Sequence, residues 1–191
     1  MVTLTPMDIL YQPKWTGFDA LNELGQVDWS QVEHCYGKGV VPLGLEGDVS
    51  RSLAALRIDH SQAMHALYSN ICHQGTVYQA TAHAVPYIAA VAAGNVPYVT
   101  RTQLLALLGD ISIGGSYVAP RGSHTGALGK DADVLVTESI AASIGRLATI
   151  RTPKLVALIQ AIQELLVEST DGRRASVESA IDAAITPLTT P

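Results

Sequence analysis

No Asp, Glu, Lys or Arg occurs anywhere from His60 to Thr100, although four of the six histidines fall in this charge-free interval. Charged groups are rarely buried without a partner, so a segment of this length without any is typical of one packed between neighbours. The stretch from Tyr68 to Ile88, YSNICHQGTVYQATAHAVPYI, leaves two alternatives open. It is either an active site or the middle of a helical stack.

The composition favours helix packing in a single domain spanning residues 1–191. Hydrophobic residues make up 48% of the chain, but only 5% of residues are aromatic. Ala, Leu, Val and Ile must therefore build the core, which favours packed helices over a sandwich of strands rich in aromatic residues.

Helix-start signals recur along the chain. A capping box places Ser, Thr, Asp or Asn at the N-cap and Glu or Gln three residues later. Three are present, each followed by apolar residues at helical spacing: Asp59–Gln62, Thr76–Gln79 and Thr100–Gln103. Further helices are predicted from Asp28 to Gly37, from Asp48, over 131–146, from Thr152 with Pro153 at its first position, and from Ser176 until Pro187. This gives roughly eight or nine helices, with neither a two-residue hairpin signal nor an alternating strand.

The predicted helices fall into pairs at about 48–71, 76–113 and 131–168. Pairs of roughly 40 residues joined by short turns are typical of HEAT-like units, which stack into an α-solenoid. Pro86 lies inside the second pair's first helix, where it removes a backbone hydrogen bond and produces a kink. A kinked first helix is expected in a HEAT-like pair, so Pro86 supports the prediction of an all-α solenoid of HEAT or armadillo type.

One segment departs from the helical pattern. Residues 112–132, SIGGSYVAPRGSHTGALGKDA, contain five glycines and a proline. Long segments of this kind in compact domains are either functional loops or unstructured chain. The functional alternative is a flap over one face of the helices, with Tyr117, Arg121 and His124 available for contacts.

Two motifs carry a family resemblance. DWSQVEHCYG, followed by YSNICHQGTVYQATAHAVPYI, resembles bacterial HEAT-repeat-like proteins of actinobacterial type that carry a GNIxHQGTVYxATxxAVP motif. The resemblance covers residues 28–110, and the departures from the motif are Cys35, Ser69 and Cys72. The matching positions are Trp29, His34, Tyr36, Gly37, Asn70, Ile71, His73, Gln74, Gly75, Thr76, Val77, Tyr78, Ala80, Thr81, Ala84, Val85 and Pro86. The resemblance implies an α-solenoid and, by analogy with other HEAT-like proteins, a binding scaffold.

The histidines and cysteines do not form a recognisable metal or nucleophile motif. His60 and His65 are five residues apart, and no HxxxH, HExxH or CxxC pattern occurs. The charge-free interval also contains no carboxylate that could bind a metal ion or hydrogen-bond to a histidine that does. Adjacency of Cys72 to His73 does not make a catalytic dyad, because the base must approach through space. We therefore predict no metal and no cofactor, and we favour a non-catalytic protein over an enzyme.

The NICHQGTVYQ motif has two interpretations. In the structural one, Asn70 ends a helix, Gly75 supplies the turn, and Thr76 caps the next helix. In the functional one, His73, Gln74, Tyr78 and His83 form a polar surface beside a helix N-terminus that attracts an anionic group.

Charge and hydropathy restrict the partners. The net charge is −5 and no basic stripe occurs, which argues against nucleic acid and against a DNA-glycosylase role. The first residues show neither the basic nor the apolar region of a signal peptide, so we expect none, and the most apolar stretch, AVPYIAAVAAGNVPYV, is interrupted by prolines. We expect a cytoplasmic protein with reduced cysteines and no membrane partner.

The favoured function is recognition of a protein partner, in an accessory or immunity-type role or through a homodimer interface. The alternative is a small-molecule-binding protein or unusual enzyme with a pocket between the solenoid face and the 112–132 loop. The residues predicted to bind are His34, Tyr36, Asn70, His73, Gln74, Tyr78, His83, Tyr117 and His124; for the pocket alternative they are His34, Tyr36, His73, Tyr78, Tyr117 and His124.

Overall fold

The computed structural model describes residues 15–116, 118–119, 122–123 and 130–189, with side chains for 15–116 and 130–186. This part of the chain is predominantly helical, which confirms the all-α class. Its α-helices are α1 Val49–Ala55, α2 His60–Ile71, α3 Gln79–Ala93, α4 Tyr98–Ile113, α5 Ala132–Ser143, α6 Pro153–Val167 and α7 Asp171–Thr189. Its 3-10 helices are Thr16–Gln26, Trp29–Gln31, Gly44–Gly47 and Ile144–Thr149.

Two predicted N-caps are confirmed by their hydrogen bonds. The Asp48 carboxylate accepts the Arg51 N–H at 2.9 Å, and the Asp59 carboxylate accepts the Gln62 N–H at 3.0 Å. Each satisfies a backbone donor that the first turn of a helix leaves without a partner. The α6 helix also begins as predicted, with Pro153 in its first turn.

Two other predicted N-caps are wrong. Thr76 lies in a strand and α3 begins at Gln79, where the Thr81 hydroxyl accepts the Tyr78 N–H at 2.8 Å. Thr100 lies buried inside α4, which begins two residues earlier at Tyr98. In both cases the capping-box spacing is present, but strand pairing takes Thr76 and burial inside α4 takes Thr100.

The predicted helices at either end of the chain also need correction. Asp28 caps only a short 3-10 turn by accepting the Ser30 N–H at 3.2 Å, and strands replace the predicted helix before Gly37. The α7 helix begins at Asp171 rather than Ser176, because the Thr170 hydroxyl accepts the Arg173 N–H at 3.3 Å. It extends to Thr189, beyond the proline that was predicted to end it.

Short hairpins contradict the prediction that none would form. The strands are β1 Glu33–His34, β2 Gly37–Lys38, β3 Cys72–His73, β4 Thr76–Val77, β5 Gly115–Ser116, β6 Val118–Ala119 and β7 Gly122–Ser123. Antiparallel pairs form between β1 and β2, β3 and β4, and β6 and β7, while β5 pairs in parallel with β4. Gln74 and Gly75 have φ of 51° and 76°, the double positive φ of a two-residue type I′ turn. Asn or Asp usually precedes the glycine in such turns. Here Gln74 takes that position, so the sequence does not show the usual hairpin signal.

The helices pack in two layers around α3 and α4. The first contains α1, α3, α5 and two 3-10 helices, Thr16–Gln26 and Ile144–Thr149; the second contains α2, α4, α6 and α7. One hydrophobic core contains buried side chains from Leu21 to Ala184. The charge-free interval supplies α2, α3 and the start of α4, and most of the apolar side chains of α2 and α3 are buried.

Pro86 lies inside α3, as predicted, and a neighbouring helix compensates for it. Proline has no N–H to donate to the carbonyl of residue i−4, here Ala82. The Ser139 hydroxyl of α5 donates to that carbonyl at 2.7 Å instead. A contact between helices therefore satisfies the acceptor that the proline releases.

No helix in the part of the chain that the structure describes is long and apolar enough to cross a membrane.

Candidate functional site

The first hairpin buries one predicted binding residue, His34, and leaves another, Tyr36, partly exposed. His34 is only 3% exposed, and its Nε2–H donates to the Gly39 carbonyl at 2.7 Å. Its Nδ1 accepts the Tyr36 N–H at 3.3 Å, so one tautomer satisfies both ring nitrogens. The Tyr36 hydroxyl donates to the Glu46 carboxylate at 3.4 Å, and His65 contacts the same carboxylate at 3.1 Å. His34 therefore shapes the hairpin and is not available to a ligand.

Asn70 connects three segments from a fully buried position. Its Nδ2 donates to the Leu45 carbonyl at 2.8 Å and to the Ser52 hydroxyl at 3.0 Å. Its backbone carbonyl accepts the Cys35 N–H at 3.0 Å. The end of α2 is thus tied to α1, to the Gly44–Gly47 turn and to the first hairpin, which is a structural role.

The second hairpin holds the start of the Gly-rich segment. The Gly75 carbonyl accepts the Gly115 N–H at 3.0 Å, and β5 lies alongside β4. Within β5, the Ser116 hydroxyl donates to Asp133 at 2.7 Å, and the Asp133 N–H donates back to that hydroxyl at 2.9 Å. These contacts join the two ends of the Gly-rich segment to each other and to the HQGT turn.

The remaining predicted residues are spread over different environments. Gln74 is exposed in the turn, His73 is partly buried in β3, and Tyr78 is 6% exposed at the start of α3. The ring of His83 packs edge-on against Trp29 at a centroid distance of 6.4 Å. Burial lowers the pKa of His83. Tyr117 and His124 lie outside the described residues.

The predicted residues do not share one cavity. His34 lines a narrow space of about 10 Å³ beside the first hairpin, whereas His83 lines a separate cavity of about 320 Å³. A third cavity, of about 250 Å³, opens beside Ser112 and Gly114, where the Gly-rich segment begins. None of the described members of the predicted pocket, His34, Tyr36, His73 and Tyr78, lines that third cavity.

The Cys72 thiol does not have the environment of a nucleophile. Cys35 and Cys72 are both free, and Cys72 is buried. Burial, followed by the negative charge of Asp110, raises the pKa of the Cys72 thiol to about 12. A thiol with that pKa is protonated at neutral pH, whereas reactive cysteines require the thiolate.

No three His, Cys, Asp or Glu side chains within the described ranges are grouped to hold a metal ion.

The structure brings together a surface that the sequence reasoning missed. The Tyr68 hydroxyl of α2 donates to the Asp110 carboxylate of α4 at 2.7 Å. Glu178 and Asp182 of α7 lie near enough to act on Asp110 electrostatically. We call Tyr68, Asp110, Glu178 and Asp182 the acidic face. The available signal was Asp110 itself, the single acidic residue among positions 76–130, set in the apolar sequence LLALLGDISI.

Neighbouring groups on the acidic face shift the pKa of the Asp110 carboxyl in opposite directions. Burial raises the pKa of its carboxyl, the Tyr68 hydrogen bond opposes that shift, and the charges of Asp182 and Glu178 add to it. The pKa of Tyr68 is also raised, first by burial and then by the charge of Asp110. Arg174 of α7 donates to the Ile113 carbonyl at 2.6 Å and not to these carboxylates. The face therefore holds mutually repelling negative charge.

Comparisons with protein-family models, with curated proteins and with solved structures found no match to this chain. The resemblance to HEAT-like proteins therefore stays a prediction from the motif residues of the sequence.

Proposed function

We propose that this chain is a non-catalytic, HEAT-like binding protein that recognises a protein partner in an accessory or immunity-type role. The observation that carries the proposal is the acidic face on α2, α4 and α7, where Asp110 is half-buried beside two exposed carboxylates. The partner would present Lys or Arg side chains to this face. A second copy of this acidic chain would bring more negative charge and is the less favoured partner.

The packing of the helices supports the HEAT-like part of the proposal. The first helices of the three predicted pairs, α1, α3 and α5, contact one another in order, and the second helices, α2, α4 and α6, do the same. Stacked repeats bury a continuous core through such neighbour contacts. A proline inside α3, with Ser139 of the following pair bonded to the carbonyl that the proline releases, is a further feature expected of these units.

An energetic argument supports a cationic partner. In the isolated chain, Asp110 loses hydration on burial and lies near two like charges, so its ionised form raises the free energy of the folded state. A Lys or Arg from a partner would convert this repulsion into attraction, and complementary charge also accelerates association. The face therefore gains more from a basic partner than from a neutral one.

Charge reversal tests this proposal. We expect the double substitution Glu178→Lys and Asp182→Lys to weaken partner binding at least about tenfold, because both changes repel a basic segment. The matched control is Asp19→Lys with Glu168→Lys, which changes net charge equally at exposed positions away from the face. The measurement is quantitative mass spectrometry of proteins retained from source-cell extract by the native chain and both variants. Retention of the same proteins by all three chains, or of none by the native chain, would overturn the proposal.

The 250 Å³ cavity beside Ser112 supports a second candidate, the small-molecule-binding protein or unusual enzyme. It opens beside Ser112 and Gly114, where the Gly-rich segment begins. Its charged groups already have internal partners, since Asp133 bonds Ser116, Glu138 bonds Lys130 and Arg174 bonds Ile113. This candidate is therefore second, and a metabolite that copurifies with the native chain and is lost on Arg174→Ala would move it to first place.

A further inference from the structure

A different cavity, on the first helical layer, combines fixed walls with polar groups that the protein itself does not use. It has a volume of about 320 Å³ and lies between the Thr16–Gln26 helix, α3 and the Ile144–Thr149 helix. The Thr16–Gln26 helix is held closely against the end of α3, because a Cβ added at Gly94 would meet the Gly17 Cα at 2.3 Å. The Gly17 N–H also donates to the Asn95 carbonyl at 3.0 Å.

One wall is aromatic and held in place. The Tyr87 hydroxyl donates to the Glu23 backbone carbonyl at 3.0 Å, which fixes the ring between α3 and the Thr16–Gln26 helix. The Trp29 ring supports Tyr87 at 6.3 Å and His83 at 6.4 Å. Because burial lowers the pKa of His83, its imidazole is neutral at physiological pH and presents an uncharged surface. Side chains that are already fixed lose little entropy when a ligand binds.

The polar lining carries both signs of charge. Arg146 and Gln26 have no hydrogen-bond or ion-pair partner among the residues whose side chains are described. Burial is the main cause that raises the pKa of the Tyr87 phenol, and the negative charge of the Glu23 carboxylate raises it further. Glu23 and Arg146 line the same cavity without forming an ion pair with each other. This contrasts with the cavity beside Ser112, where the charged groups have internal partners.

We propose that this cavity binds a small zwitterion, an amino acid or dipeptide with an apolar side chain. Arg146 receives the carboxylate, Glu23 receives the ammonium group, and the side chain packs against Pro86 and Tyr87. Arginine is well suited to a carboxylate because its guanidinium offers parallel donors. The volume lies at the lower end of the range of about 300–1,000 Å³ for ligand sites, which fits a ligand of this size. This site is separate from the acidic face and does not depend on the proposed partner.

Calorimetric titration of the full chain tests the proposal with defined compounds. The compounds are leucine, phenylalanine and leucyl-leucine, together with N-acetyl-leucine and leucine amide, which each lack one of the two charges. We expect saturable binding of at least one zwitterion, and at least about tenfold weaker binding of both single-charge analogues, because each leaves Glu23 or Arg146 unpaired. Comparison of leucine with leucyl-leucine distinguishes a free amino acid from a peptide as the source of the ligand.

Two variants assign the binding to this cavity. Arg146→Gln and Glu23→Gln are each expected to weaken zwitterion binding at least about tenfold, with unchanged circular dichroism because both residues are exposed. The matched controls, Lys154→Gln and Glu168→Gln, make the same charge changes at exposed positions outside the cavity and should bind as the native chain does. Absence of saturable binding by any zwitterion, equal binding of the single-charge analogues, or native affinity in either cavity variant would overturn the proposal.

Discussion

Buried polar residues in this chain have two different energetic roles. Thr81 is fully buried, and its hydroxyl accepts the Tyr78 N–H and donates to the Ile71 carbonyl at 2.6 Å, which joins the start of α3 to the end of α2. Asp110 instead carries a charge that its surroundings disfavour. The Asn70 amide nitrogen likewise donates to two internal acceptors, although the buried Oδ1 of this side chain accepts no hydrogen bond among the described residues. The motif residues Thr81 and Asn70 thus connect elements of the fold, whereas the negative charge of Asp110 destabilises it.

This difference predicts the effect of Asp110→Asn. The folded-state pKa of Asp110 is raised, so the fold favours the protonated form, and stability is lost as pH rises from the unfolded pKa through the folded one. At pH 7 the variant should be more stable than the native chain, by a few tenths to about 1 kcal/mol, the range of partly exposed charge pairs. The difference should shrink as pH falls towards about 4, near the unfolded pKa of an aspartate.

Urea unfolding of both chains between pH 4 and pH 8 measures this effect. Asn can still accept the Tyr68 hydrogen bond through its carbonyl oxygen, so the comparison isolates the charge. The control is Asp19→Asn, which removes an exposed carboxylate in a different element. A variant that is less stable than the native chain at every pH would show that the Asp110 charge stabilises the fold.

At the scale of elements, helix interiors followed the apolar spacing, but several boundaries and turns did not. The Asp48 and Asp59 caps were predictable because both the acceptor and the N–H that it satisfies lie within one turn. Thr76 has the same local pattern but pairs with His73 across the Gln74–Gly75 turn. Whether a threonine caps a helix or joins a strand depends here on β5, which is distant in sequence and pairs with β4.

The proline inside α3 gives a prediction at this scale. Ser139→Ala should destabilise the native chain by about 0.5–1.5 kcal/mol, because the Ala82 carbonyl loses its donor. In a Pro86→Ala background the new N–H at position 86 can bond that carbonyl, so Ser139→Ala should then cost measurably less.

A double-mutant cycle by urea unfolding checks this coupling. Ser179→Ala on the exposed side of α7 is the control and should be additive with Pro86→Ala. Equal costs for Ser139→Ala in both backgrounds would mean that the serine does not compensate for the proline.

Across the whole molecule, the two layers share one core, with buried residues from the Thr16–Gln26 helix to α7. The acidic face belongs to the second layer, whereas the cavity lined by Glu23 and Arg146 belongs to the first. A shared core couples these surfaces to the same folding reaction, although no residue belongs to both.

The shared core predicts one cooperative unfolding transition, as the single-domain prediction requires. In a Trp15→Phe variant the fluorescence of Trp29 reports the region beside the first hairpin, while far-ultraviolet circular dichroism reports all helices. We expect the two urea midpoints to coincide, because Trp29 packs against the core that the helices share. A fluorescence transition at clearly lower urea concentration would show that the N-terminal elements unfold separately from the rest of the chain.

The sequence by itself determined the helical class, the interior position of the charge-free interval, the caps at Asp48 and Asp59, and the place of Pro86 inside a helix. These features depend on contacts within a few residues or on the spacing of apolar side chains, which the sequence contains directly. Only the tertiary structure decided that His34 and Asn70 are internal hydrogen-bonding residues, and that Asp110 meets Tyr68, Glu178 and Asp182. The His34 bonds lie within the first hairpin, whose turn carries no clear sequence signal. The interactions of Asn70 and Asp110 join segments that are tens of positions apart and come together only once the two layers have packed.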